Sequence, residues 1–310
     1  MLEEEVYKKI MNQVIINKEQ GYALYFKYND ILIEKTNGLE REDDRFHITF
    51  NTCFRLASVS KQFIAYAILL LIEEQLLSFS TPITEIFDDL PQYFKKITIQ
   101  QLLNHTSGIY DYEKMPHQEN DEQIKDKQVL EFLKTTTHTY FKPGTKYQYS
   151  NTGYILLGQI IEQISKTKID EYLKEKIFTK AKLFNTYVND EGKTIIPNRA
   201  YGHIISNNQL IVKDQYWCSA TIGDGGLYSN IIESTMFLPN VFDEKTQSYY
   251  GLGIRIINVN GCDIYYHCGD TIGTNTFILF SKDLNLRCIF LTNMGNIDTE
   301  NLKENIIHLI

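Results

Sequence analysis

The stretch from Phe54 to Leu77, FRLASVSKQFIAYAILLLIEEQLL, constrains the fold more than any other. Between Phe63 and Ile72 it is apolar on every side of a 3.6-residue period, the pattern of a helix wrapped by other elements rather than laid on a surface. A chain carrying such a helix has to enclose it. Ser58 and Lys61 stand three positions apart where the helix opens, on one face of a first turn whose N–H groups lack intrahelical acceptors. A serine so placed has donors beside it and can act as a nucleophile. Where an apolar body begins, desolvation favours the neutral amine of a lysine, the form that takes a proton from a hydroxyl. Equally, Ser58 can be the plain N-cap of a core helix, with Lys61 in a solvated first turn. The pair does not decide between these readings, because roughly one Ser-x-x-Lys match arises by chance in a chain of this size. A second match, Ser165 to Lys168, reads as an exposed helix end.

Other features bound the answer. A chain of 310 residues can bury a large core, and it shows no low-complexity tract and little proline. Its net charge is −8 with scattered basic residues, which argues against nucleic acid and anionic membrane as partners. The N-terminal MLEEEVYKKIMNQVI is acidic where an export leader is basic, and the apolar run inside the Ser58 helix is too short to span a bilayer. A cytoplasmic protein is expected, although an exported chain shorn of its leader would read the same. Five cysteines without disulfide-framework or metal spacing suit a reducing compartment. The seven histidines show no metal-ligand arrangement, so neither metal nor cofactor is expected.

Along the chain, Glu3 to Asn17 reads as an amphipathic helix, followed by strands Gly21 to Tyr28 and Ile31 to Thr36 joined at Asn29-Asp30. Helices are expected near Thr98–Asn104 and Lys127–Thr135 and from Asn151 to Ser165, with Asp111–Lys127 and roughly Asp190–Gln215 as lid segments. The C-terminal part alternates instead: Tyr250–Ile257, Cys262–Cys268, Asn275–Phe280 and Leu286–Thr292 read as strands of an antiparallel meander, separated by turn residues that include Gly269-Asp270. A last helix starts near Asp298. The expected fold class is α+β, one domain over 1–310, with a sheet lobe (about 1–57 and 216–310) built from both chain ends and a mostly helical lobe (about 58–215) inserted. The Ser58 helix then sits where the lobes meet, a place that favours clefts.

Three further stretches carry chemistry. In LLNHTSGI (102–109) a helix ends in a tight turn, and His105 alone reads as a structural hydrogen-bonder. In PGTKYQYSNTGYILLG (143–158), Ser150 or Asn151 caps an apolar helix and Tyr149 stands just before it. Tyr-x-Asn recurs at Tyr187 and Tyr228, so the triplet alone is weak. His267-Cys268-Gly269 closes a strand, where an edge N–H can serve a developing oxyanion and glycine admits a close approach, or where the histidine is simply solvated.

Taken together, Ser-x-x-Lys, Tyr-x-Asn and His-x-Gly in this order resemble the serine β-lactamase and penicillin-binding-protein superfamily. The resemblance is to its class C branch, which includes D-alanyl-D-alanine carboxypeptidases, D-aminopeptidases and esterases. FRLASVSKQF, LLNHTSGI, PGTKYQYSNTGYILLG, GDGGLYS (223–229), YGLGI (250–254) and HCG carry it across most of the chain. It implies Ser58 as acylated nucleophile, Lys61 as its proton partner, and Tyr149 as general base, acid and activator of water. It further implies Asn151 as the partner of the substrate's amide side chain, His267 beside Tyr149 helping to set its charge, and an oxyanion hole from the N–H groups of Ser58 and of Asp270, the residue after Gly269.

The third motif departs from the Lys-Thr-Gly of β-lactamases and transpeptidases. A mostly neutral imidazole and a thiol are weaker anion partners than an ammonium and a hydroxyl. An Asp270 side chain pointing inward would discourage anionic substrates further. The expected activity is therefore acyl-enzyme hydrolysis of esters or peptide-like amides, on a small-molecule or short-peptide substrate. The alternatives are a true class C β-lactamase or D-alanyl-D-alanine carboxypeptidase, and a penicillin-binding sensor without turnover. The sequence leaves oligomeric state open.

Overall fold

The computed structural model describes residues 2–41, 46–118, 122–190, 193–207, 209–237 and 250–310, with the side chains of 235–237 excepted. Residues 119–121 of the first expected lid segment, and 191–192 and 208 of the second, lie outside these. The helices are α1 (Leu2–Ile10), α2 (Lys61–Glu73), α3 (Ile99–Leu103), α4 (Asp126–Thr135), α5 (Asn151–Ser165), α6 (Ile169–Leu173), α7 (Thr179–Ala181), α8 (Ile231–Phe237) and α9 (Thr299–Ile307). The strands are β1 (Tyr22–Tyr28), β2 (Ile31–Asn37), β3 (Phe54–Arg55), β4 (Tyr187–Val188), β5 (His203–Ser206), β6 (Gln209–Val212), β7 (Leu227–Ser229), β8 (Tyr250–Gly251), β9 (Ile254–Val259), β10 (Cys262–Thr271), β11 (Thr274–Ser281) and β12 (Leu286–Thr292).

Both chain ends build one antiparallel sheet of seven strands in the order β2-β1-β12-β11-β10-β9-β8. Its two faces follow from strand alternation. Leu24, Phe277, Leu279, Cys288 and Phe290 point toward α1 and α9, packing with Val6, Ile10, Leu302 and Ile306. Their neighbours Ala23, Ile278, Phe280, Ile289 and Leu291 point the other way, into the core shared with α2 and α5. In α2 no residue from Lys61 to Ile72 is exposed, so the helix is wrapped as its composition requires. No described helix is long and apolar enough to cross a membrane.

Four expectations about element limits are corrected. The central helix opens at Lys61 rather than at Ser58: Phe54–Arg55 pairs with Ser229 and Tyr228, Ala57 takes a left-handed φ of 45°, and Ser58 lies in a 3-10 turn (Ala57–Ser60) ahead of α2. The N-terminal helix stops at Ile10 rather than Asn17, with Gln13 in the left-handed region just beyond. Tyr250–Ile257 is folded back on itself, because Leu252 and Gly253 both adopt positive φ and turn β8 into β9. Gly269-Asp270 is not a turn: both residues are paired, with Thr276 and Asn275, and the chain reverses only after Thr271.

Candidate active site

The Ser58 turn is positioned by backbone pairing on both sides. Leu56 N–H donates to Leu227 O at 2.8 Å, Leu227 N–H to Ser60 Oγ at 3.2 Å, and Thr276 Oγ1 on β11 to Leu56 O at 2.9 Å. Gly269 on β10 lies directly against this turn. A Cβ there would overlap Leu56 O and Thr276 Oγ1 and reach Ala57 Cβ at 3.2 Å. The glycine therefore admits the chain's own nucleophile turn, which is the physical reason for the small residue.

Lys61 is fully buried and Ser58 half-buried, which removes the solvated first-turn reading. Lys61 Nζ donates to Ser58 Oγ at 2.9 Å and to the main-chain oxygen of Asp224 at 2.6 Å. The Asp224 loop is itself fastened: Arg55 donates to Ser219 O and Gly225 O, and the buried Asp126 carboxyl accepts from the N–H groups of Ile222 and Gly223. Burial pushes that Asp126 carboxyl well above the ordinary carboxylate range, with Asp224 adding to the effect. Asp224 Oδ2 accepts from Tyr112 Oη at 3.2 Å.

Tyr149 reaches the pair from the segment preceding α5, whose N-cap is Ser150, the side chain accepting from Gly153 N–H. His105 fixes that segment on both sides, accepting from Gln148 N–H at its main-chain oxygen and from Ser150 N–H at Nδ1. Its ring packs against Tyr149, tilted by 38° with centroids 4.3 Å apart. Burial, with the Lys61 cation beside it, holds His105 well below the ordinary histidine range, consistent with an Nδ1 that accepts. The Tyr149 ring centroid lies 5.1 Å from Lys61 Nζ and 5.6 Å from the Arg255 guanidinium carbon. Tyr149 Oη is buried and bonds no described residue. Ser58, Lys61 and Tyr149 thus come together from two segments, but only the first two are hydrogen-bonded to each other.

His267 faces the same cleft and is buried. Its Nδ1 donates to Cys268 O at 2.7 Å and its Nε2 accepts from Tyr250 Oη at 2.8 Å. Burial, reinforced by Lys61, depresses it to about 3, so the imidazole is neutral near pH 7. The cations flanking the Tyr149 ring are Lys61 and Arg255. Alternation places Cys268 and Asp270 on the opposite face of β10 from His267 and Gly269. Cys268 packs with the α1 and α9 core, and the Asp270 carboxylate accepts from Asn275 Nδ2 at 3.0 Å. Neither side chain enters the cleft. The Asp270 N–H is a different matter: with Thr271 and Thr274 closing a two-residue hairpin, alternation turns it away from β11 toward the open edge of β10.

Asn151, the first residue of α5, donates from Nδ2 to Glu113 Oε1 at 2.7 Å, and its Oδ1 is buried without a partner among the described residues. Sequence reasoning missed Glu113, Asp224, Arg255 and Tyr250. GDGGLYS and YGLGI contain two of them, but Asp224 serves through its main chain, and Tyr250 acts through a contact that its stretch does not reveal. Among the described residues, no three His, Cys, Asp or Glu side chains gather as a metal-binding group.

Comparison with known proteins shows what the chain as a whole is similar to. Residues 14–307 match the family model described as Beta-lactamase. The chain is 31% identical over 191 residues to penicillin-binding protein 4* of Bacillus subtilis, covering 59% of this chain and 42% of that protein. It is 24% identical to D-aminopeptidase of Brucella anthropi over 80% of this chain and 51% of that one. It thus spans roughly half or less of the length of these relatives. D-amino acid amidase from Ochrobactrum anthropi SV3, solved with D-phenylalanine, superposes with a TM-score of 0.83 over the whole of both chains at 18% identity, a likeness of fold.

Proposed function

Because the chain belongs to the beta-lactamase family, we propose that it is a serine hydrolase that forms an acyl-enzyme on Ser58 and acts on peptide-like amides or small esters. The observation that carries the reading is the 2.9 Å bond between Ser58 Oγ and Nζ of a fully buried Lys61. A serine hydroxyl attacks an acyl carbon only as its proton leaves, so a fixed proton partner and a nearby acceptor are required. Lys61 is the partner and Tyr149 the acceptor. Tyr149 acts as the phenolate, its charge offset by Lys61 and Arg255; as the Ser58 oxygen bonds to the carbonyl carbon its proton passes to that phenolate, neutralising it, and the carbonyl π electrons move onto the carbonyl oxygen. The N–H groups of Ser58 and Asp270 receive the carbonyl oxygen as it becomes an oxyanion. Tyr149 then gives its proton to the departing amine or alcohol and takes one from the water that frees the acid. The helical and sheet-bearing parts act as one domain in this scheme, meeting at the Ser58 turn. Five free cysteines favour a reducing compartment and a substrate present there.

A D-alanyl-D-alanine carboxypeptidase is the second reading, and Arg255 favours it. This guanidinium stands beside His267 and Tyr149, where it can meet a free carboxylate on the departing residue. An ester such as p-nitrophenyl acetate should give a burst stoichiometric with enzyme, followed by turnover, and Ser58→Ala should abolish both. Undiminished turnover in Ser58→Ala would end the proposal. Release of D-alanine from a peptidoglycan peptide, or hydrolysis of nitrocefin, would move the substrate to the second reading or to a β-lactam. A stable adduct that never recycles would identify a sensor.

A further inference from the structure

Among the buried side chains around Ser58, His105 is held in an unusual way. It lies just past the end of α3 with φ at 58°, in the left-handed region where a residue other than glycine is uncommon and persists only when its surroundings enforce it. The turn that enforces it is bonded to α3 and to the 140–144 segment: Thr106 N–H donates to Gln101 O, Gly144 N–H to Thr106 O and Tyr140 N–H to Gly108 O. Held this way, His105 gives both of its acceptors to the residues on either side of Tyr149. Its main-chain oxygen takes the Gln148 N–H at 2.9 Å, and Nδ1 takes the Ser150 N–H at 3.1 Å. The second bond fixes the protonation of the ring: Nδ1 must carry a lone pair, so the single ring proton is on Nε2. An imidazolium would set two N–H groups against each other. The charged groups acting on the ring, Lys61 from α2 and Arg255 from β9, are both cations and oppose that form, and His267 from β10 lies with them. The rings of Tyr147, Tyr149, Tyr154 and Tyr250 complete the wall around it. The far end of the Tyr149 side chain has no such anchor, because its hydroxyl bonds no described residue.

We propose that His105 is a positioning residue for acyl transfer: the lone pair on its Nδ1, by holding the Ser150 N–H, sets where Tyr149 stands against Ser58 and Lys61. The inference rests on the acyl-enzyme reading above, in which Tyr149 takes the Ser58 proton. That transfer needs the phenolic oxygen within reach of Ser58 Oγ, and a displacement of about 1 Å in a reacting geometry costs on the order of a hundredfold in rate. Ser150 is also the N-cap of α5, so the same N–H joins the Tyr149 segment to the helix that shares its core with α2. Without an acceptor at Nδ1 the Ser150 N–H is buried and unpaired, and the segment shifts to find a partner. Ring packing does not replace the bond, since packed rings tolerate a sliding that a hydrogen bond does not.

Two variants of the full chain separate the acceptor from the ring. His105→Phe keeps a ring and removes the acceptor. His105→Asn loses the ring, but its Oδ1 can take the Ser150 N–H, and asparagine tolerates a positive φ. The measurements are the Ser58 acetylation rate in the p-nitrophenyl acetate burst, the urea midpoint, and hydrogen exchange of the Ser150 amide. His105→Phe should acetylate at least about thirtyfold more slowly at saturating ester, with the Ser150 amide exchanging faster. His105→Asn should recover the rate to within about threefold of the parent despite a lower urea midpoint. A role in packing alone predicts the reverse order, with the asparagine variant the slower. That order, equal rates in the two variants, a parent-like rate in His105→Phe, or imidazole nitrogen spectra that place the His105 proton on Nδ1 overturns the assignment. The two readings fail separately. Ser58 labelling with a parent-like His105→Phe removes only the positioning role, and no labelling of the unsubstituted chain removes the acyl-enzyme and the role together.

Discussion

Gly269→Ala is the substitution that most sharply probes how the sheet holds the nucleophile. The added Cβ would sit about 1 Å inside ordinary van der Waals contact with both Leu56 O and Thr276 Oγ1. Neither neighbour is the free end of a flexible side chain: Leu56 O is main chain, and Thr276 Oγ1 is already bonded to it. The strain therefore has to be relieved by moving β10 off the Ser58 turn, carrying the Asp270 N–H away from its proposed place in the oxyanion hole. A displacement of that size in a reacting geometry costs on the order of a hundredfold in rate, while overpacking costs about 1–3 kcal/mol in stability. The assay is p-nitrophenyl ester hydrolysis beside urea denaturation, with Gly261→Ala as control. Gly261, unlike Gly269, has a positive φ, but it has nothing within 4 Å of its missing Cβ, so that variant should lose stability and keep activity. A Gly269→Ala enzyme as active as the parent would refute the close approach of β10 to the turn and the oxyanion role built on it.

The remaining predictions concern charge and support. His267 is depressed from an ordinary 6.5 to about 3 by burial, so the unfolded chain takes up a proton that the folded one refuses. Its stabilising contribution is complete above pH 6.5 and falls by about 1.4 kcal/mol per unit as the pH drops toward 3. The His267 imidazole resonances should accordingly stay unchanged from pH 8 to 5, and a midpoint near 6 would contradict the neutral assignment. Asp126→Ala strands the buried N–H groups of Ile222 and Gly223 but also relieves a costly buried carboxyl, for a net loss of about 1–3 kcal/mol. Because these N–H groups hold the loop that gives Asp224 O to Lys61, ester hydrolysis should fall as well; a destabilised variant with full activity would show that the loop position does not matter.

Much of this was legible in the residues. α5 begins and ends where Ser150 and Ser165 suggest, because its limits are local: a side-chain cap at one end and Lys166 in the left-handed region at the other. The strands from Cys262 to Thr292 were visible because one alternation serves two buried faces. Gly269-Asp270 reads as a turn for an equally local reason, since both residue types favour turns, yet its glycine answers to Leu56 more than two hundred positions away. The same distance hides the rest of the site. Lys61 is held by a main-chain oxygen, which no residue type announces. Glu113 acquires significance only through Asn151, and Arg255 only because β9 carries it beside Tyr149. Three short motifs could mark the reacting groups, but not the partners that position them or give the cleft its charge.

The account stands or falls on which side chain becomes acylated. After brief incubation with p-nitrophenyl acetate and acid quenching, peptide mass spectrometry should find one acetyl group per chain, on Ser58 within the Phe54–Phe63 stretch, and none after Ser58→Ala. Hydrolysis that proceeds with Ser58 unmodified, or an acyl group carried by a different residue, would contradict it.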